Sequence, residues 1–240
     1  MSSLPKPKIR IENVVASVTV NQRIDLDKVA RSLLNVEYDP EQFPGLVYRL
    51  KKPKTATLIF NSGKMVCTGA KSEAEASRAV HRIIEHLREA SIQITGEPII
   101  TVQNIVASAS LGAELNLELA AYSLENVMYE PEQFPGLIYR MKDPKVVILL
   151  FGSGKLVCTG AKKEEDVYRA VNNVMKTLLD LGIMKLKPVP VTPEGETPEV
   201  VEEAVEGNKT AENVDNLEEE PAEEEEKPEE PSLDTDTFKL

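Results

Sequence analysis

Slid against itself, the chain matches at one constant offset of 91 residues. Tyr38-Asp-Pro-Glu-Gln-Phe-Pro-Gly-Leu-Val-Tyr-Arg49 returns as Tyr129-Glu-Pro-Glu-Gln-Phe-Pro-Gly-Leu-Ile-Tyr-Arg140. Ser62-Gly-Lys-Met-Val-Cys-Thr-Gly-Ala70 returns as Ser153-Gly-Lys-Leu-Val-Cys-Thr-Gly-Ala161. Between Tyr38 and Ala70, 23 of 33 positions are identical at that offset with no gap. One unit therefore folds twice, and any architecture must place two copies of it in equivalent surroundings.

Each unit carries the same local pattern. Val14, Ala16, Val18 and Val20 alternate with Asn13, Val15, Ser17 and Thr19, which predicts a strand with one face against a helix layer. Asp25 can cap a short helix carrying Leu26, Val29, Ala30 and Leu33; Asn116 can cap its copy, with Leu117, Ala120, Ala121 and Leu124. Asn61-Ser62-Gly63 separates a Thr55 to Phe60 strand from a Lys64 to Ala70 strand, a hairpin signal. Ser72 and Glu75 form a capping-box pattern ahead of a longer helix with Ala76, Ala79, Val80, Ile83, Ile84 and Leu87 on one face. Val167, Ala170, Val171, Val174 and Leu178 repeat that face. The expected class is α+β: one long antiparallel sheet made by both units, with all helices on a single side. The other side must meet something else.

The formal charge of −12 conceals an uneven distribution. From Val189 onward there are 19 acidic and 3 basic residues, against 21 acidic and 25 basic before it. That Glu- and Pro-rich stretch cannot bury enough apolar surface to fold, so 188–240 is read as a disordered acidic tail after repeats at 7–95 and 96–187. No apolar run is long enough to span a bilayer, and the first residues lack the apolar core of a signal peptide. The expectation is a cytoplasmic protein with no membrane partner and with Cys67 and Cys158 as thiols.

Candidate chemistry is sparse. His81 and His86 are five apart on a helix, too far round to share a ligand, and read as solvated. Cys67 and Cys158 read as small core residues. Gly152-Ser-Gly-Lys155 imitates a phosphate loop, but Leu156 stands where Ser or Thr is needed and a hairpin is expected there. No Ser/His/Asp set recurs in both units, so the chain reads as no enzyme, with no cofactor and no metal. The phenylalanines say more, since four of the five form repeat-related pairs: Phe43 with Phe134, and Phe60 with Phe151. Phe60 alternates in phase with Leu58 and opposite to Thr57 and Ile59, and Phe43 sits in a polar loop. Both are expected on the uncovered side of the sheet. Asn13, Val15, Lys64, Val66 and Thr68, with their copies Asn104, Val106, Lys155, Val157 and Thr159, are expected there too. An apolar floor with amides and hydroxyls and a rim of Arg49, Lys64, Arg140 and Lys155 suits a shallow nucleic-acid groove. An oligomer face or a lipid-binding face of the same composition fits the pattern as well.

At these residues the chain resembles the TATA-box-binding protein family over about residues 7 to 184. The motifs are Gln-Asn-Ile-Val-Ala at Gln103 to Ala107, Glu-Asn-Val-Val-Ala at Glu12 to Ala16, the two Pro-Glu-Gln-Phe-Pro-Gly-Leu segments, and Ser-Gly-Lys-x-Val-Cys-Thr-Gly-Ala-Lys twice. Phe-Pro-Gly-Leu in both halves, an acidic C-terminal tail and no long N-terminal extension resemble the archaeal branch. The resemblance implies a saddle: a curved ten-stranded antiparallel sheet with four helices on its convex side and double-stranded promoter DNA on the concave one. It implies a general transcription initiation factor at the nucleoid. Phe43 with Phe60 and Phe134 with Phe151 would be wedges that kink TA-rich DNA, in a family that is itself the reference case for such insertion. Asn13, Asn104, Thr68 and Thr159 would meet central bases, with Val15, Leu58, Val66, Val106, Leu149 and Val157 as floor.

The family also implies that transcription factor B docks at Glu130, Glu132 and Gln133 and that RNA polymerase follows, and it leaves open a homodimer of the free protein. Two rival readings remain at this stage. A divergent paralogue could use the saddle for protein partners without TATA preference, and an enzyme such as a glycosylase would need a catalytic Asp and a base pocket that the sequence lacks. The tail reads either as a solubilising appendage or as an electrostatic competitor for the basic rim.

Overall fold

The computed structural model describes residues 6–185; the 188–240 tail expected from the sequence lies outside them. The first unit runs β1 (Lys8–Thr19), α1 (Leu26–Ser32), β2 (Val36–Glu37), β3 (Gly45–Leu50), β4 (Thr55–Phe60), β5 (Lys64–Ala70) and α2 (Glu73–Glu89). The second runs β6 (Ile99–Ser110), β7 (Glu114–Leu115), α3 (Leu117–Ser123), β8 (Val127–Met128), β9 (Leu137–Met141), β10 (Val146–Leu150), β11 (Lys155–Ala161) and α4 (Glu164–Asp180), with β12 (Met184–Lys185) pairing back onto β7. Ten strands form one antiparallel sheet in the order β2-β3-β4-β5-β1-β6-β11-β10-β9-β8, curved but not closed.

The two units meet where β1 pairs with β6. Val14 stands directly opposite Ile105, its own copy 91 residues on, so the pseudo-two-fold axis passes between them. Around this axis Asn13 faces Val106 and Val15 faces Asn104. The expected alternation holds: Val14, Ala16, Val18 and Val20 are buried under the helices, and the intervening residues line the other face.

Turn chemistry fixes the strand ends. The 61–63 hairpin joins β4 and β5 at the boundaries the sequence predicts, with Gly63 at φ +81°. A Cβ there would lie 2.1 Å from the Gln22 carbonyl oxygen, and one on Gly154 would lie 1.8 Å from that of Ala113, so both turns demand glycine. The Gly152–Lys155 segment is accordingly a hairpin turn and not a phosphate loop.

Helices cover one face only. Asp25 and Asn116 cap α1 and α3 by accepting from Lys28 N and Leu119 N. Of their expected apolar residues, Leu26, Val29, Leu117 and Ala120 are buried, while Ala30, Leu33, Ala121 and Leu124 are only partly so. Helix α2 buries all six residues of the expected face; α4 buries its five and adds Met175. Cys67 and Cys158 are free thiols within the core, and burial pushes Cys158 up to about 11 and Cys67 in the same direction. His86 departs from the solvated reading, since its Nδ1 meets the buried Tyr48 hydroxyl at 2.5 Å.

The capping box at α2 is also modified. Ser72 Oγ accepts from Glu75 N at 3.0 Å, but with Ser72 nearly fully extended (φ −158°, ψ 160°) it is Lys71 N–H that the Glu75 carboxylate reaches, at 2.6 Å. Helix α4 has no side-chain cap of its own at Lys163. A contact between the repeats supplies one: Glu164 N donates to Glu73 Oε1, and Glu73 N donates to Glu164 Oε1, both at 2.7 Å. Each carboxylate thus sits at the positive end of the other unit's helix.

Because α2 retains the Ser72 cap and α4 does not, Glu73→Ala is expected to cost about 1 kcal/mol and Glu164→Ala less. In urea unfolding the double variant should cost less than the sum of the singles. Additive losses, or a larger loss from Glu164→Ala, would refute reciprocal capping.

Candidate nucleic-acid interface

The face left bare by the helices is paved in cross-strand rows. Val47 on β3 pairs with Leu58 on β4, Leu58 with Val66 on β5, and Val66 with Ser17 on β1. The second unit repeats the row as Ile138, Leu149, Val157 and Ser108. All eight are partly exposed, whereas their chain neighbours Ile59, Cys67, Ile148 and Cys158 are fully buried. A strand of period two divides its residues this way when helices pack on one side only. Val47 and Ile138 were absent from the expected floor; the alternation that yields Leu58 and Leu149 would have found them.

At each end of the floor two phenylalanine rings meet edge to face. Phe43 and Phe60 have centroids 5.9 Å apart, and Phe134 and Phe151 match them at 5.9 Å. Phe43 and Phe134 are 39% and 37% exposed, a large apolar area to leave in water. The loop phenylalanines are aimed by their own backbones: Phe43 N donates to the Asp39 carbonyl, and Phe134 N to that of Glu130. Gly45 and Gly136 lie beneath the rings. A Cβ on either would stand 2.6 Å from the loop phenylalanine and 2.9 or 3.0 Å from its partner, so only glycine lets the pair close over the strand. These two positioning residues were not singled out from the sequence.

Near the axis the two asparagines hold the irregular ends of β5 and β11. Asn13 Oδ1 accepts from Gly69 N at 2.7 Å, and Asn104 Oδ1 from Gly160 N at 2.7 Å. Gly69 and Gly160 have φ of +100° and +97°, where the strand registers shift. A backbone N–H can only donate, which settles the amide orientation: the oxygen faces the glycine and the Nδ2 donors face outward beside a threonine hydroxyl. Nδ2 lies 3.1 Å from Thr68 Oγ1 in one unit and 3.3 Å from Thr159 Oγ1 in the other. The site thus presents fixed N–H donors at its centre.

The rim is less uniform. Lys64, Lys155 and Arg140 are exposed as expected. Arg49, expected in the same role, is already engaged through Nε and Nη2 with both Glu37 oxygens at 3.1 and 3.2 Å, which pulls the Glu37 carboxyl below its ordinary value. Arg10 and Glu12, neither assigned a role from the sequence, form a 2.7 Å pair to which Ser108 Oγ adds a 2.6 Å hydrogen bond. The Arg10 hydrogen bond, then Ser108, hold the Glu12 carboxyl down at about 2. Glu130, Glu132 and Gln133 sit exposed in the loop that carries Phe134.

A carboxyl whose folded value is depressed lends stability above its unfolded value, and that stability is lost as pH falls toward the folded one. Glu12 should therefore stay largely ionised until the pH approaches about 2, and Arg10→Ala should raise its midpoint toward the ordinary range, as followed by carboxyl NMR. An unmoved midpoint would show that Arg10 is not the cause.

Three comparisons bear on this face. The family model described as transcription factor TFIID, or TATA-binding protein, matches residues 8–90 and 99–181. The TATA-box-binding protein of Sulfurisphaera tokodaii is 56% identical over 189 residues, covering 77% of this chain and 96% of the relative. That of Pyrodictium occultum is 58% identical over 181 residues, covering 75% and 91%. Among solved structures, Methanococcus jannaschii TBP superposes with a TM-score of 0.67 at 54% identity, covering 72% of this chain and 99% of that one.

Proposed function

From the premise that the chain belongs to the TATA-binding protein family, whose members are general transcription factors, we propose that it initiates transcription by gripping the minor groove of a TATA element and kinking it. The two repeats are taken as 7–95 and 96–187, and the acidic tail as 188–240. What carries the reading is the bare sheet face, with an exposed phenylalanine pair at each end and outward amide donors at its centre.

Each part fits a step of that task. Minor-groove edges of A·T pairs offer acceptors only, whereas G·C adds the guanine amino donor. Fixed Nδ2 donors of Asn13 and Asn104, with the Thr68 and Thr159 hydroxyls, complement the former and meet the latter poorly. Val15, Leu58, Val66, Val106, Leu149 and Val157 demand no hydrogen bonds and suit a widened, unwound groove. Phe43 with Phe60 and Phe134 with Phe151 enter base steps at the two ends, where TA steps unstack at low cost. Lys64, Lys155, Arg49 and Arg140 take phosphates, Arg49 by exchanging Glu37 for one.

Binding of this kind holds the DNA but does not start RNA synthesis. Transcription factor B docks on Glu130, Glu132 and Gln133, and RNA polymerase follows it. This activity belongs in the cytoplasm at the nucleoid, and no chemistry of an enzyme enters it. The free protein can pair through the same apolar face that DNA covers.

In a gel-shift titration on a TATA duplex and a scrambled duplex of equal composition, the TATA duplex should bind selectively. Phe43→Ala/Phe134→Ala should weaken binding about 30-fold or more, as truncation of a buried aromatic anchor does. Equal binding to both duplexes would favour the divergent paralogue. Glu130→Lys/Glu132→Lys should reduce assembly with transcription factor B at least tenfold, on the scale of one lost charged contact, and leave the DNA titration unchanged. Intact ternary assembly would reject the docking site.

A further inference from the structure

Position by position, the two halves of the bare face do not carry the same charge. In the second-repeat half, Lys155 pairs across to Ser110 on β6, and Ser110 to Lys8 on β1. These residues line a cleft of about 660 Å³ beside Phe151. At the equivalent place in the first half, Lys64 pairs to Thr19 and Thr19 to Ile99, an isoleucine 59% exposed. An apolar side chain thus stands where the other half has a cation.

The rim arginines differ in the same direction. Arg49 is neutralised by Glu37, but the residue equivalent to Glu37 is Met128, and Arg140 has no ion-pair partner among the described residues. A third set leaves the balance alone: Arg10, Glu12 and Lys71 together carry the same charge as their copies Thr101, Gln103 and Lys162. The second half therefore offers Lys8, Lys155 and Arg140 uncompensated, and the first half offers Lys64. Whole-repeat charge runs the other way, with 15 basic and 10 acidic residues through position 91 against 10 and 11 from 92 to 188. Part of the first repeat's surplus lies on its back, where Lys52, Arg78 and Arg82 line a groove beside α2.

We propose that the DNA-facing surface is electrostatically polar, so that the protein alone, before any partner binds, sets its second-repeat half over the half-site that presents more phosphate charge. Lys8, Arg140, Glu37 and Ile99 are the residues that set this polarity. The inference rests on the minor-groove reading above. Phosphate contacts carry no base information, but when they are unequal across a nearly symmetric protein they distinguish its two orientations wherever the two half-sites differ in negative potential, as a narrow A-tract groove makes them do.

The test uses a palindromic TATATATA duplex, which removes any preference of base origin, with methylphosphonates neutralising the backbone of one half. A DNA-cleaving reagent tethered to Ser62→Cys, in the first repeat, reports which way the full-length protein faces; Cys67 and Cys158 are buried and do not compete for it. Cutting should favour the neutralised half by roughly fivefold or more, the worth of about two exposed charge contacts. Equal cutting at both ends would overturn the proposal.

Two pairs of substitutions localise the effect. Lys8→Ile/Met128→Glu makes the second half resemble the first; it should abolish the bias and lower the slope of log affinity against log salt by roughly 1 to 2. Glu37→Met/Ile99→Lys, which makes the first half resemble the second, should also abolish it. A bias that survives both changes would reject these residues. Loss of selectivity for the fully charged palindrome over a scrambled duplex would instead reject the minor-groove reading, whereas selective binding without bias would sink this inference alone.

Discussion

Everything on the bare face depends on the β1–β6 seam. By pairing the two longest strands so that Val14 meets Ile105 across the axis, it turns two similar units into one sheet and fixes the phase of every side chain on it. A slip of one residue in either strand would exchange the buried and bare faces, moving Val14 and Ala16 into water and Val15 and Ser17 beneath the helices. The reciprocal Glu73 and Glu164 caps tie the helix layer across the same axis, so the sheet and its backing are joined at one place.

How far the sequence discloses this varies with the range of the interaction. The hairpin between β4 and β5 was readable to the residue, because 61–63 is a local signal and Gly63 must adopt positive φ. The α2 face was readable because period 3.6 is a local property. Gly45 and Gly136 gave no such signal, since their φ is ordinary and only the tertiary approach of two rings demands the missing side chain. Nor could the partners of His86 or Arg49 be found: Tyr48 and Glu37 reach them across the packed fold, 38 and 12 residues away in the chain. The two-residue strands β2 and β8 are too short to show a period at all.

Duplication also acts as an internal control. Where both copies keep a residue, as with the asparagines, the strand glycines and the phenylalanine pairs, each sits in the same geometry on its side of the axis. Where they differ, the backbone is held constant and the side chain alone changes. Glu37 against Met128 and Lys8 against Ile99 are such cases, and they show why whole-repeat charge is a poor guide to the face that matters. Charge placed behind a sheet is separated from a ligand on its front by the thickness of the core and by solvent screening, under which its potential decays over about 8 Å at physiological salt.

The asparagine clusters show how a structural constraint and a recognition element become one feature. A strand bulge leaves a backbone N–H that must be satisfied, and the Gly69 and Gly160 amides donate to Asn13 and Asn104. That bond fixes each side-chain oxygen toward the glycine, where the neighbouring threonine hydroxyl also reaches it, and leaves the Nδ2 donors on the other side, so polarity at the centre of the face is set before any ligand arrives. An amide free to rotate could meet donor or acceptor edges equally and would discriminate neither. In the proposed reading, selectivity for acceptor-only base edges thus originates in backbone irregularities in the β1–β5 and β6–β11 ladders that flank the central seam, and the same glycines that permit the bulge make the amide a one-sided probe.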